Sequence, residues 1–222
     1  MEINVNHTKL YYVQSGQGQP LILLHGNGET HQIFDKLMPT LSAYFRVYAI
    51  DNRGHGKSAR VSELHYQDMA NDVVDFIKEL KLEKPLLYGF SDGGIIGLLI
   101  ASQHPDLLDK LMISGANLNP SGLHSRDRFI YWSWHLVTRR PELRILNTEP
   151  NITKADLQRI QIPTLVMAGE KDSVKISHTR LISEQIPNSK LLILPKETHS
   201  SYVVGSFKLL PIIRKFCKDE SI

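Results

Sequence analysis

A serine enclosed by glycines is the feature that most constrains how this chain can fold. Residues 89–93 form a G-x-S-x-G pentapeptide, preceded by the apolar run 86–88 and followed by the apolar stretch 94–103. The run predicts a buried strand and the stretch predicts a helix, so Ser91 falls on a sharp strand-to-helix turn. Glycines suit that turn because a Cβ there would clash with the neighbouring strand and helix. The pattern therefore predicts a serine hydroxyl that is lifted out of a sheet.

Two further segments predict partners for this serine. Residues 163–168 predict a strand that leads into a turn with Asp172, and residues 190–194 predict a strand followed by a loop that ends at His199. Parallel strands bring their carboxyl ends to one edge of a sheet, where open α/β sheets place their sites. A serine hydroxyl needs a base to become a nucleophile, and the base needs an orienting acid. We therefore expect Ser91, His199 and Asp172 to form a catalytic triad.

The loop 25–28 predicts the remaining part of such a site. Its sequence is H-G-N-G, and it directly follows a short apolar strand. Backbone amides of this loop, with the amide of Asp92 after the serine, are suited to hold the negative oxygen of a tetrahedral intermediate. We expect Asn27 to supply the loop amide of this oxyanion hole. His25 and His55 are expected to be hydrogen-bonding loop residues rather than bases.

Together these motifs resemble those of the α/β-hydrolase superfamily over nearly the whole chain. The resemblance rests on residues 25–28, on the D-x-R-G-x-G-x-S loop at residues 51–58, on the G-x-S-x-G pentapeptide, and on the Asp172 and His199 turns. It implies an α/β fold with a mostly parallel twisted sheet, helices on both faces and a small helical cap. It also implies a hydrolytic triad that needs no cofactor and no metal. One departure is residues 196–198, which read K-E-T where the family has a glycine-rich run.

Strands and helices alternate along the chain, as expected of a single α/β domain that spans residues 1–222. Apolar spacing predicts helices at residues 32–44, 66–80 and 206–218, the last with Pro211 in its first turn. Such alternation predicts a mostly parallel sheet that is covered by helices.

The exception to this alternation is the segment 117–160, which we expect to be a short cap between the sixth and seventh strands. An aromatic and basic helix is predicted at residues 125–139, and it carries both tryptophans of the protein, Trp132 and Trp134. These indoles are expected to hold the cap onto the domain. One of them, with Phe90, is also a candidate for shaping an apolar pocket for an acyl group, and the two roles do not exclude each other. Acidic residues interrupt the arginines of this segment, which favours a solvated cap surface over a nucleic-acid interface.

The composition and the apolar runs of the chain indicate where the protein is located and which partners it binds. The net charge of +3 is too small to indicate binding to nucleic acid or membrane. The single cysteine, Cys217, suits a reducing compartment. The N-terminus predicts no signal peptide, and the longest apolar stretch, residues 95–101, is too short to span a bilayer. We expect a cytoplasmic protein that binds neither nucleic acid nor membrane, and the oligomeric state stays open.

These features predict a serine hydrolase that cleaves small acyl substrates, most simply carboxylic esters, through an acyl-enzyme. The resemblance also implies alternatives that use the same triad. They are the hydrolysis of carbon–carbon bonds, thioesters or amides, acyl transfer, and perhydrolysis. A further alternative is a small-molecule sensor with an intact triad and slow turnover. The sequence does not separate these activities.

Three acidic side chains have roles that the sequence leaves open. Asp92, beside the serine, either favours substrates that carry an amine or hydrogen-bonds within the turn, and the second role is favoured. Glu170 and Glu197 are alternatives to Asp172 as the acid of the triad, although surface carboxylates are the simpler interpretation of both.

Overall fold

An eight-stranded sheet forms the centre of the computed structural model, which describes residues 1–218. Residues 219–222, the end of the predicted domain, lie outside the described part of the chain. The strands are β1 (Glu2–Val5), β2 (Thr8–Ser15), β3 (Pro20–Leu24), β4 (Arg46–Asp51), β5 (Leu86–Phe90), β6 (Leu111–Ser114), β7 (Thr164–Lys171) and β8 (Ser189–Thr198).

Helices connect most of these strands. They are α1 (Leu37–Leu41), α2 (Tyr66–Glu79), α3 (Asp92–Gln103), α4 (Ser125–Thr138), α5 (Pro141–Thr148), α6 (Lys154–Gln158), α7 (Ile176–Gln185) and α8 (Leu209–Cys217). In the described part of the chain, no helix is both long enough and apolar enough to cross a bilayer.

The strand order is β1-β2-β4-β3-β5-β6-β7-β8. The five pairs β4–β3, β3–β5, β5–β6, β6–β7 and β7–β8 are parallel. Only the β1–β2 and β2–β4 pairs are antiparallel among the described strands. The predicted α/β class with a mostly parallel sheet is therefore confirmed. The turns after β3, β5, β7 and β8 all lie at one edge of the sheet.

The core lies in two layers, one on each face of the sheet. Ile22 and Leu24 of β3 pack into the layer that contains α2 and α3, whereas Leu21 and Leu23 pack into the layer that contains α1 and α8. All of these side chains are buried, because alternate residues of a strand point to opposite faces and both faces are covered. The central strands therefore form a rigid base for the turns at their ends.

The predicted helix at residues 32–44 is broken in the structure. A 3₁₀ turn covers His31–Phe34, and α1 is a separate short helix. Pro39 accounts for the break, because a proline ring clashes with the carbonyl of the residue four positions earlier, here Asp35. Pro211 lies in the first turn of α8, as predicted.

The last strand is longer than its apolar sequence predicts. The sequence predicts a strand at residues 190–194 followed by a loop, but β8 continues to Thr198. Pro195 is tolerated because β8 is an edge strand, where sheets accommodate proline. The longer strand places His199 directly at the end of the sheet.

Candidate active site

Ser91 occupies the turn between β5 and α3 with φ 52° and ψ −112°. This left-handed backbone is rare for a residue with a side chain. A Cβ on Gly89 would lie 2.1 Å from the carbonyl oxygen of Gly93, and a Cβ on Gly93 would lie 2.4 Å from the carbonyl oxygen of Leu24. Both flanking glycines are therefore required by close backbone contacts.

Three side chains meet at this turn in a continuous hydrogen-bonded chain. His199 Nε2 lies 3.1 Å from Ser91 Oγ, and His199 Nδ1 lies 2.6 Å from Asp172 Oδ1. The Asp172 side chain is buried and accepts the N–H groups of Val174 and Gly169. A carboxylate so placed holds the imidazole with its Nδ1–H toward Asp172, which leaves Nε2 to accept the serine proton.

The three residues come from the ends of three parallel strands, as the sequence predicts. Ser91 follows β5, Asp172 follows β7 and His199 follows β8. Glu170 and Glu197 do not compete with Asp172 for the imidazole. Glu170 accepts the N–H of Lys196, and Glu197 accepts the hydroxyl of Ser201 and pairs with Lys208.

Asn27 and Asp92 both line the same space as Ser91. Neither of their backbone N–H groups donates a hydrogen bond to another protein atom within residues 1–218. The Asn27 side chain donates to Asp92 Oδ2 at 2.9 Å and to the carbonyl oxygen of Glu142 at 3.0 Å. These contacts hold the loop after β3 against the serine turn, so that two residues with unused N–H groups line the site.

The carboxyl group of Asp92 is engaged inside the protein. Besides Asn27, the hydroxyl of Tyr66 donates to it at 2.7 Å, and the residue is 2 % exposed. Burial raises the pKa of the Asp92 carboxyl, although both hydrogen bonds act in the opposite direction. Hydrogen bonding within the site therefore accounts for both carboxyl oxygens of Asp92.

Sequence reasoning missed a second carboxyl group at the site, that of Glu29. Glu29 Oε2 accepts the N–H of Gly26 at 2.9 Å, and the side chain lines the same cavity as Ser91. Burial raises the pKa of Glu29. Its position three residues after a glycine in a loop carries no periodic signal that the sequence analysis could have used.

His25 is a buried structural residue of the loop, as expected. Its Nδ1 lies 2.8 Å from the carbonyl oxygen of Gly26, and its Nε2 lies 3.0 Å from the backbone nitrogen of Asn52. Only a neutral imidazole with the proton on Nδ1 satisfies both contacts. Burial, helped by the neighbouring His55, lowers the pKa of His25 from 6.5 to about 3.

A cavity of about 410 Å³ opens in front of Ser91. One wall comes from the turns at the end of the sheet and includes Phe90 and His199. The opposite wall comes from the segment 117–160 and includes Leu123, Tyr131, Trp134, Glu142 and Leu143. This space can hold a substrate of moderate size in contact with the serine.

The two tryptophans lie in different places. Trp134 and Tyr131, three residues apart on one side of α4, line the cavity. Trp132 does not reach the cavity: it lies beside Phe129, with ring centroids 6.1 Å apart, in a separate groove that also includes Arg128. A helix turns by about 100° per residue, so Trp132, two residues before Trp134, points about 200° away from it. Of the residues predicted to line the pocket, Phe90 and Trp134 therefore line the cavity, whereas Trp132 does not and Tyr131 lines it instead.

Comparison with known proteins agrees with the observed fold. A family model described as the α/β-hydrolase fold matches residues 19–151. The human protein named serine hydrolase BPHL is 31 % identical over 91 % of this chain and 80 % of its own length. Among solved structures, a meta-cleavage product hydrolase from Pseudomonas fluorescens has a TM-score of 0.83 with 18 % identity, covering 99 % of this chain and 97 % of that one. An esterase from Rhodococcus has a TM-score of 0.80 with 21 % identity, covering 99 % and 98 %.

The chain therefore belongs to the α/β-hydrolase family. The two solved structures, at this level of identity, support the fold alone.

Proposed function

We propose that this protein is a serine hydrolase that cleaves small acyl substrates, most simply carboxylic esters. The observation that carries the proposal is the chain of contacts from Ser91 Oγ through the His199 imidazole to the buried Asp172 carboxylate. Membership of the family and the name of the human relative, a serine hydrolase, support the same assignment.

In the proposed reaction, Ser91 Oγ attacks the carbonyl carbon of the ester while His199 Nε2 takes its proton. The oxygen of the tetrahedral intermediate accepts hydrogen bonds from the backbone amides of Asn27 and Asp92. The intermediate collapses when His199 returns the proton to the departing alcohol, which leaves an ester of Ser91. Water then attacks this acyl-enzyme with His199 again as base, and the acid product and the free serine are released. No step requires a cofactor.

The size and lining of the cavity support small substrates. Its volume of about 410 Å³ lies near the lower end of the range for ligand pockets, roughly 300–1,000 Å³. Its apolar lining, which suits an acyl group, comes from Phe90, Tyr131, Trp134 and Leu143. Its acidic lining residues include Glu29 and Glu142. We therefore expect acetate and butyrate esters to be cleaved faster than long-chain esters.

The test is labelling with a fluorophosphonate probe, together with turnover of p-nitrophenyl acetate and butyrate. Stoichiometric labelling and turnover should both disappear in Ser91→Ala. They should persist in Ser200→Ala, which removes another hydroxyl from the cavity wall. Absence of labelling in a folded wild-type protein would refute the proposal and would favour the sensing alternative, which a ligand-dependent shift in melting temperature would then test.

A further inference from the structure

The outer surface of α4 is unusually apolar for a helix that faces solvent. Six large apolar side chains are exposed along it, with Val137 83 % exposed, Phe129 66 % and Trp134 62 %. The other three are Ile130, Trp132 and Leu136. No residue of this 14-residue helix is fully buried. Contiguous apolar surface of this kind marks an interaction site in a folded protein.

The side chains that α4 turns toward the protein are the polar and amphipathic ones. Its half-buried residues include Arg128, Tyr131 and His135, whereas the large apolar residues are exposed, most of them on the opposite arc and Trp134 at its border beside Tyr131. A surface helix ordinarily shows the reverse arrangement, with its apolar stripe on the core. The sequence of α4 therefore fits burial of its outer arc against something outside the described chain.

The charges around this arc limit what can cover it. Exposed arginines lie at both ends of α4: Arg126 in the first turn and Arg139 just after the last. The nearby acidic residues are less available, because Asp127 is half-buried and Glu142 is buried and paired with Arg140. A second copy of α4 packed in either direction would bring these arginines together at the ends. An anionic surface would neutralise them.

We propose that the outer arc of α4 docks onto an anionic lipid surface. Aromatic and aliphatic side chains of an interfacial helix enter the boundary between headgroups and acyl chains, while flanking arginines bind the lipid phosphates. Indole rings prefer this boundary, and α4 carries two of them. This docking differs from membrane spanning, for which the described helices are unsuited. It departs from the expectation of no membrane binding, which rested on the small net charge of the whole chain and not on the surface of α4.

Docking at α4 has a consequence for the cavity. Trp134 and Tyr131 line the space in front of Ser91, so the helix that would contact lipid is also a wall of the proposed active site. A docked molecule would hold this wall at the lipid surface, where amphiphilic esters collect. The docking itself rests on the surface of α4 and does not depend on the proposed chemistry.

The tryptophan content offers a direct test. Trp132 and Trp134 are the two tryptophans of the whole protein, so intrinsic tryptophan fluorescence reports on α4 alone. Vesicles that contain phosphatidylglycerol should shift the emission to shorter wavelength and should carry the protein upward in a flotation gradient. Pure phosphatidylcholine vesicles should give a much smaller effect, and added salt should weaken binding to the anionic vesicles.

Charge-removing variants make the test specific. The double variant Arg126→Gln, Arg139→Gln should bind anionic vesicles roughly 25-fold more weakly, because each arginine near the surface contributes about fivefold. The control is Lys36→Gln, Lys190→Gln, which removes two exposed lysines outside the segment 117–160 and should leave binding unchanged. Circular dichroism would establish that both variants are folded.

Absence of both the shift and flotation with anionic vesicles at low salt would overturn the proposal. Equal losses in the two double variants would overturn it as well, because binding would then follow net charge alone. A blue shift that grows with protein concentration without lipid, together with the mass of a dimer, would assign the surface to a second copy instead.

Discussion

Gly115 leaves the space that the imidazole of His199 occupies. A Cβ on Gly115 would lie 2.6 Å from His199 Cε1 and 2.8 Å from His199 Nδ1, and the glycine has φ +64°. The turn after β6 thus leaves room for the imidazole of His199.

Gly115→Ala should therefore displace the imidazole and lower kcat for p-nitrophenyl butyrate by about 100-fold, since a misplacement of about 1 Å has effects of this size. Gly205→Ala is the matched control, because Gly205 has φ +57° but nothing within 4 Å of its Cβ position. Similar losses of kcat in the two variants would mean that backbone strain, rather than contact with His199, is responsible.

Asp172→Asn should lower kcat by roughly 10⁴-fold with little change in KM. The asparagine amide can donate to the imidazole and so favours the wrong tautomer, as in other triads. The control is Glu170→Gln, which removes a nearby carboxylate that accepts the N–H of Lys196 and forms no hydrogen bond with His199. This variant should retain activity. Steady-state kinetics of the two variants would decide between these carboxylates, and a larger loss in Glu170→Gln would contradict the assignment.

Protonation of His25 should make the protein sensitive to acid. The folded pKa of about 3 lies below the ordinary value of 6.5, so between these values the unfolded chain binds a proton that the folded chain does not. The free energy of unfolding should therefore fall as the pH falls through this window, by about 1.4 kcal/mol per pH unit from this residue.

Urea unfolding of wild type and His25→Asn at a series of pH values would measure that dependence. In His25→Asn, the free energy of unfolding should fall less steeply with decreasing pH than in wild type, whatever the stability of the variant at neutral pH. His124→Asn, which replaces an exposed histidine, should keep the wild-type slope. Parallel slopes for wild type and His25→Asn would show that His25 is not the responsible group.

Asp92→Ala should destabilise the protein by about 2–4 kcal/mol, because it leaves the buried Tyr66 hydroxyl and the Asn27 amide without their acceptor. Asp92→Asn keeps one acceptor oxygen and should cost less than half as much. Chemical denaturation would measure both values. Equal stability of the two variants would indicate that these hydrogen bonds contribute little.

The positions of Ser91, Asp172 and His199 could be predicted because each depends on local sequence. Each residue follows a short apolar run, and the ends of parallel strands necessarily share one edge of the sheet. The need for glycine at positions 89 and 93 follows from the same local geometry. Elements whose limits depend on a proline were predicted less well, as the break before α1 and the extension of β8 past Pro195 show.

The cavity wall could not be predicted in the same way. The expectation for Trp132 assumed that an aromatic residue of a cap helix faces the site, but α4 turns Trp132 away from the cavity. Glu29 was missed because only the folded loop brings its carboxyl group beside Ser91. Such contacts depend on tertiary packing, for which apolar periodicity provides no signal.

The two walls of the cavity belong to separable parts of the chain. Ser91, Asp172, His199 and Asn27 lie on turns of the sheet, whereas the facing wall is one uninterrupted stretch between β6 and β7. Because β6 and β7 are adjacent parallel partners, both ends of that stretch are anchored in the rigid sheet. In engineering terms the stretch is a cassette, whose exchange should change the facing wall of the cavity while Ser91, Asp172 and His199 keep their positions on the sheet.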